Sequence, residues 1–148
     1  MDLQEILRRK GSKVHSISPD ATLDEVVHKL VENNCGSLIV CEPTHDGDAA
    51  GTLVGIITER DILRSCATHT GSLRDLTVRN VMSHELMTGT PDDSIEETMG
   101  LMTERRIRHL PILVDGRLAG MISIGDLVKA HYDEVTMENH YLKSYIQS

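Results

Sequence analysis

Thr58-x-x-Asp61 and Ser123-x-x-Asp126 each set a hydroxyl three residues before a carboxylate, where an apolar strand-like run passes into a helical one. A hydroxyl at such a junction caps the free N–H groups of a helix start, which also favour anions. An ionised carboxylate can accept hydrogen bonds from two adjacent hydroxyls at once. Upstream of the second motif, Arg105, Arg106, Arg108 and His109 crowd together in a chain whose net charge is −8. Local cations neutralise a small anion while the overall field repels a polyanion, so the pattern suits a small ligand and argues against a nucleic acid polymer. No HExxH, GxSxG, P-loop or GxGxxG spacing is present, and Ser123 with Asp126 has no base nearby in sequence, so hydrolysis is a weak alternative.

The elements that must hold these groups come in two copies. SISPDATLDEVVHKLVENNCGSLIV (16–40) lies over TGTPDDSIEETMGLMTERRIRHLPI (88–112) at an offset of 72 (91 − 19 for the prolines). GTLVGIITERDIL (51–63) lies over GRLAGMISIGDLV (116–128) at an offset of 65 (120 − 55). The first copy therefore holds seven extra residues (72 − 65), assigned to the polar loop PTHDGDAAG. Each copy reads as strand, helix, two strands, helix. The opening strands are expected at 14–17 and 86–88. Thr22 with Glu25 and Ser94 with Glu97 have capping-box spacing at the first helix of each copy. The paired strands are expected at 37–41 with 53–58 and at 109–114 with 118–123, the latter joined by the hairpin signal Asp115-Gly116. The second helices start near Arg60 and Gly125, the later one running toward His140.

A unit of this size buries a marginal core alone, so the expectation is an α/β fold of α+β type with two pseudo-symmetric β-α-β-β-α repeats packed into one globule. An N-terminal helix (1–13), a first repeat (14–70), a linker (71–85), a second repeat (86–132) and a C-terminal helical tail (133–148) complete the expected layout. With neither Phe nor Trp, the core must come from Leu, Ile, Val, Met and Ala, and Met99 with Met102 sits at core spacing. Three cysteines without CxxC spacing read as reduced packing residues, and the histidines show no metal spacing. No apolar run approaches the ~18 residues of a bilayer span, so a cytoplasmic protein without a membrane partner is expected.

Two β-α-β-β-α copies closing on GIITERD (55–61) and GMISIGD (120–126), with RHLPI before the second, resemble a tandem pair of CBS domains, the Bateman module, over about residues 14 to 130. The resemblance implies a non-enzymatic sensor of an adenine nucleotide, needing no further cofactor, that binds AMP, ADP, ATP, NAD(H) or S-adenosylmethionine between the copies. It also implies a homodimer and a separate effector protein. By position, Thr58 and Ser123 would meet phosphate, and Asp61 and Asp126 the ribose hydroxyls. The better site is expected at the second copy, from Thr88, Ile107, Arg108, His109, Pro111, Ser123 and Asp126, with Thr58 and Arg60 contributed across the symmetry axis. The first copy, with Ser16 and Ser37 as its polar candidates and Gly36-Ser37-Leu38-Ile39 in place of RHLP, is expected to bind phosphate less well.

Plainer roles compete with these. Asp61 and Asp126 suit the positive end of a helix dipole, and Arg105 and Arg106 suit the negative end. Gly55 and Gly120 leave room for a ligand or for close packing alike. A ligand-free dimerisation scaffold is the rival function, and the tail, with Val135, Tyr141, Leu142, Tyr145 and Ile146 among charges, is a candidate dimer or partner helix.

Overall fold

The computed structural model describes residues 1–11, 13–42 and 51–147. The expected loop insertion lies outside these residues, apart from Gly51. Elements follow in the order α1 (Leu3–Lys10), β1 (Ser16–Ile17), α2 (Leu23–Asn33), β2 (Ser37–Glu42), β3 (Thr52–Thr58), α3 (Glu59–Thr68), a 3-10 turn (Leu73–Asp75), α4 (Val78–Val81), α5 (Ile95–Glu104), β4 (His109–Val114), β5 (Arg117–Ser123) and α6 (Ile124–Gln147). They form two compact units, one of Lys13–Met87, the other of Met1–Ser12 with Thr88–Ser148. No helix among the described residues is long and apolar enough to cross a membrane.

In the first-repeat unit a three-stranded sheet runs β1-β2-β3, with β1 parallel and β3 antiparallel to β2. Leu23, Val26 and Leu30, one apolar stripe of α2, close over Leu38, Val40 and Ile57 of the sheet. Thr22 and Glu25 make the reciprocal capping box that starts α2. The expected linker is part of this unit, because Val78 and Met82 belong to its core and Leu73, Leu76 and Val81 pack against it.

The second-repeat unit repeats the plan with one strand fewer. β4 and β5 pair antiparallel, with the same irregularity between Ile112 and Leu113 that β2 shows between Val40 and Cys41. Their two-residue turn has positive φ at both Asp115 (52°) and Gly116 (76°), the signature of a type I′ hairpin. The strand expected at 86–88 is absent, and only Gly89 bridges to Ile112 in parallel. The cause is Pro111. In the first repeat the Ile39 N–H donates to the His15 carbonyl at 3.0 Å, whereas the equivalent position in the second repeat is Pro111, which has no N–H to give.

The N-terminal helix α1 belongs to this unit, where Leu3 and Ile6 are buried with Ile95, Met102, Leu110, Ile112, Ile122 and Leu127. Its hydrogen bonds show what it is. Leu3 N–H donates to Asp93 O and Gln4 N–H to Pro91 O, while in the other unit Val78 N–H donates to Ala21 O and Arg79 N–H to Pro19 O. Asp93 and Pro91 stand 72 positions after Ala21 and Pro19, so α1 and α4 are counterparts. Each is the first helix of a repeat, and each packs with the other repeat's strands.

Candidate functional site

Both hydroxyl-x-x-carboxylate motifs fold as helix caps. Thr58 Oγ1 accepts the Asp61 N–H at 3.4 Å, and Asp61 Oδ2 accepts the Thr58 N–H at 2.9 Å. Ser123 Oγ accepts the Asp126 N–H at 3.1 Å, and Asp126 Oδ2 accepts the Ser123 N–H at 2.9 Å. All described bonds to these carboxylates fall on Oδ2, leaving Oδ1 of each uncommitted among the described residues.

The strand leading to each cap is held in the same way. Ile124 N–H donates to Arg108 O at 2.8 Å, as Glu59 N–H donates to Gly36 O at 3.0 Å. His109 pairs with Ser123 across β4 and β5, as Ser37 pairs with Thr58 across β2 and β3. Arg108, His109, Ser123 and Asp126 are therefore brought to one corner of the second-repeat unit. Arg108 is exposed, and its guanidinium makes no hydrogen bond or ion pair among the described residues. Ile107 is half-buried and fixes the end of α5. Its N–H donates to Met102 O and that of Arg106 to Thr103 O, with Arg106 in the left-handed region at φ 56°. Asn34 does the same at the end of α2. Arg105 and Arg106 thus terminate a helix, as their position suggested.

The other expected ligand residues differ in their surroundings. Pro111 is buried and its carbonyl accepts the Gly89 N–H at 3.0 Å. Ser37 is only 5% exposed, and the Ser16 carbonyl takes the Lys29 ammonium. Thr88 and Arg60 are exposed, Thr88 just ahead of the Gly89 bridge and Arg60 in the first turn of α3. Gly55 is filled from its own unit. A Cβ there would sit 2.6 Å from Met82 Sδ and 2.9 Å from Ser83 O, so the close approach it allows is that of the segment after α4.

Sequence reasoning missed Lys10. Its ammonium lies 2.7 Å from Asp126 Oδ2 and donates to Met121 O at 2.9 Å, closing α1 onto the start of α6. A cleft of about 330 Å³ opens beside this pair between the two helices, lined by Ile6, Arg9, Lys10, Asp126, Lys129 and Asp133 among others. Asp126 is the one expected ligand residue that lines it. The only sequence trace of Lys10's role is its place in the last turn of α1, since 116 positions separate it from Asp126.

Burial pushes the pKa of the Asp126 carboxyl up, but the Lys10 hydrogen bond and the Ser123 N–H outweigh it and hold the group below the usual carboxylate range. A depressed folded value contributes stability above the unfolded value of about 4 and loses it as pH falls through the folded one. Urea unfolding at pH 6, 4 and 3 should therefore show wild-type stability dropping below pH ~4 by more than that of Asp126→Asn. Parallel pH profiles would remove the ion pair from this account.

The CBS domain family matches the chain twice, over residues 3–68 and 78–133. The chain belongs to that family. Both CBS matches begin at the first residue of the exchanged helices, Leu3 of α1 and Val78 of α4. A mitochondrial CBS domain-containing protein of Arabidopsis thaliana is 34% identical over 98% of this chain and 71% of its own length. The crystal structure of a CBS-domain containing protein from Agrobacterium tumefaciens superposes with a TM-score of 0.79 at 32% identity, covering 88% of this chain and 92% of that one. A CBS-domain pair solved with methylthioadenosine and S-adenosylmethionine shares the fold, with a TM-score of 0.72 at 22% identity over 90% of this chain and 98% of that one.

Proposed function

We propose that this CBS pair is a non-catalytic sensor of an adenine nucleotide, AMP, ADP, ATP or NAD(H), which signals to an effector by a change of conformation or assembly. The observation that carries the reading is the corner of Arg108, His109, Ser123 and Asp126. It offers an unpaired guanidinium for phosphate and an uncommitted carboxylate oxygen for a ribose hydroxyl, at the N-terminus of a 24-residue helix. That a fold relative binds two adenosine compounds supports the choice of ligand class. Binding would bias an equilibrium only through contacts that differ between two states, and the Lys10–Asp126 pair, on the carboxylate's other oxygen, is a contact that a ribose diol bridging both oxygens would displace. The competing reading, a ligand-free scaffold, draws on the fact that both cap carboxylates already have partners inside their own units.

Thermal unfolding against AMP, ADP, ATP, NAD⁺, NADH and S-adenosylmethionine separates the two. A true ligand at ~100 times its Kd should stabilise by about 2.7 kcal/mol, several degrees for domains of this size. Arg108→Ala, which removes no internal bond, should shrink the shift without changing the unliganded midpoint. No shift with any of them, in protein stripped of co-purified nucleotide, would leave the scaffold.

A further inference from the structure

The outer part of α6 carries Val128, Tyr132, Val135, Asn139, Leu142 and Ile146, spaced alternately by four and three residues. That spacing averages 3.5, the repeat that keeps one stripe of a helix facing a parallel neighbour. The stripe runs over 19 residues, about 27 Å of helix. Its apolar members are open to solvent, Val135 at 48%, Leu142 at 61% and Ile146 at 81%. The helix meets its own unit through a different face, on which Leu127 and Ala130 are buried, and every described residue from 135 to 147 is exposed.

The chemistry along the stripe selects its occupant. With Tyr132, Asn139 and Ile146 in the a positions of a heptad, Val128, Val135 and Leu142 take the d positions. A buried amide is costly unless its donor and acceptor are met, and the residue that meets both at the same level of a parallel pair is another asparagine. A second copy in register supplies Asn139 opposite Asn139. It also sets Glu138, in the g position, against Lys143 of the e position five residues on, twice by symmetry. Antiparallel pairing would instead bring e positions together, Lys129 toward Lys143, cation on cation. We propose that α6 is a self-association helix, pairing with α6 of a second copy as a parallel, in-register two-stranded coiled coil. The pairing draws on no residue of the nucleotide corner and stands whether or not a nucleotide binds.

Disulfide trapping of the full chain tests orientation and register together. In a Cys66→Ser background, which removes the exposed native thiol, Asn139→Cys should give a covalent dimer on mild oxidation in most chains. Tyr141→Cys, two residues along and off the stripe, should give several-fold less. Sedimentation equilibrium adds an independent reading. Glu138→Lys should weaken association roughly 5- to 10-fold, and adding Lys143→Glu should restore it. Equal trapping at 139 and 141, trapping at neither, a wild-type chain that stays monomeric at about 100 µM, or an unchanged dimer in Val135→Lys/Leu142→Lys would each overturn the proposal.

Discussion

Asp126→Asn is expected to weaken the proposed nucleotide-dependent stabilisation, and Lys10→Met to increase it. The amide keeps the size of the carboxylate and an oxygen for the Ser123 N–H, but it offers a neutral acceptor to the ribose. Hydrogen bonds to charged acceptors contribute about 1.5–3 kcal/mol against about 0.5–1.5 for neutral ones. Two such bonds weakened together cost about 2–3 kcal/mol, a loss of roughly 30- to 150-fold in affinity. Lys10→Met acts the other way, because the ligand no longer has to break a 2.7 Å ion pair to reach Asp126. The pair is partly exposed, with side chains 39% and 27% accessible, so its release is worth at most about 1 kcal/mol and up to ~5-fold in affinity. Both variants lose the ion pair and lower the unliganded midpoint alike. The opposite changes in ligand response, read by calorimetric titration, are therefore what identify Asp126 as a ligand group. Equal affinities in wild type and Asp126→Asn would leave it a helix cap.

Gly55→Ala is expected to lower the thermal midpoint by about 5–15 °C with no ligand present. The added methyl would meet Ser83 O at 2.9 Å and Met82 Sδ at 2.6 Å. The methionine can swing aside, but the carbonyl is tied, since Ser83 and Ile56 exchange both backbone hydrogen bonds at 2.9 and 3.2 Å. Relief requires β3 to part from the segment after α4, and overpacking of this kind costs about 1–3 kcal/mol. A circular-dichroism melt checks it. A midpoint within a degree of wild type would show that the segment moves at little cost.

Where a feature is coded by neighbours in sequence, it was legible. The Thr22–Glu25 cap, the Asp115-Gly116 turn and the span of β4 all stand where local spacing put them. The duplicated motifs were enough to bring Arg108, His109, Ser123 and Asp126 into one corner, because a strand and its hairpin partner carry the same register in both copies. Two failures share a cause. Residues 86–88 look like an opening strand, yet the donor such a strand needs was removed 24 positions later by Pro111. Leu3 and Ile6 mark α1 as amphipathic but say nothing about which repeat it covers. The equivalence of α1 with α4 emerges from their matching hydrogen bonds and from where the two family matches begin, because the two helices share almost no sequence. Lys10 escaped for the same reason, as a local pattern holds no record of a contact made across 116 positions.

The exchange of first helices sets an order of events as the chain leaves the ribosome. Everything the first-repeat unit needs, α4 included, is available once residue 87 has emerged, and its contacts close loops of modest length. The second-repeat unit joins a segment made before the first unit to one made after it, with a contact from Met1 to Glu134. At about 5–20 residues per second, α1 waits roughly 2–9 s after the first unit is complete before Glu134 has been added. During that interval Leu3 and Ile6 stand bare on a short helix too weak to persist alone. A cut ahead of α4, between residues 68 and 78, would make the wait permanent and separate each half from the helix that finishes it.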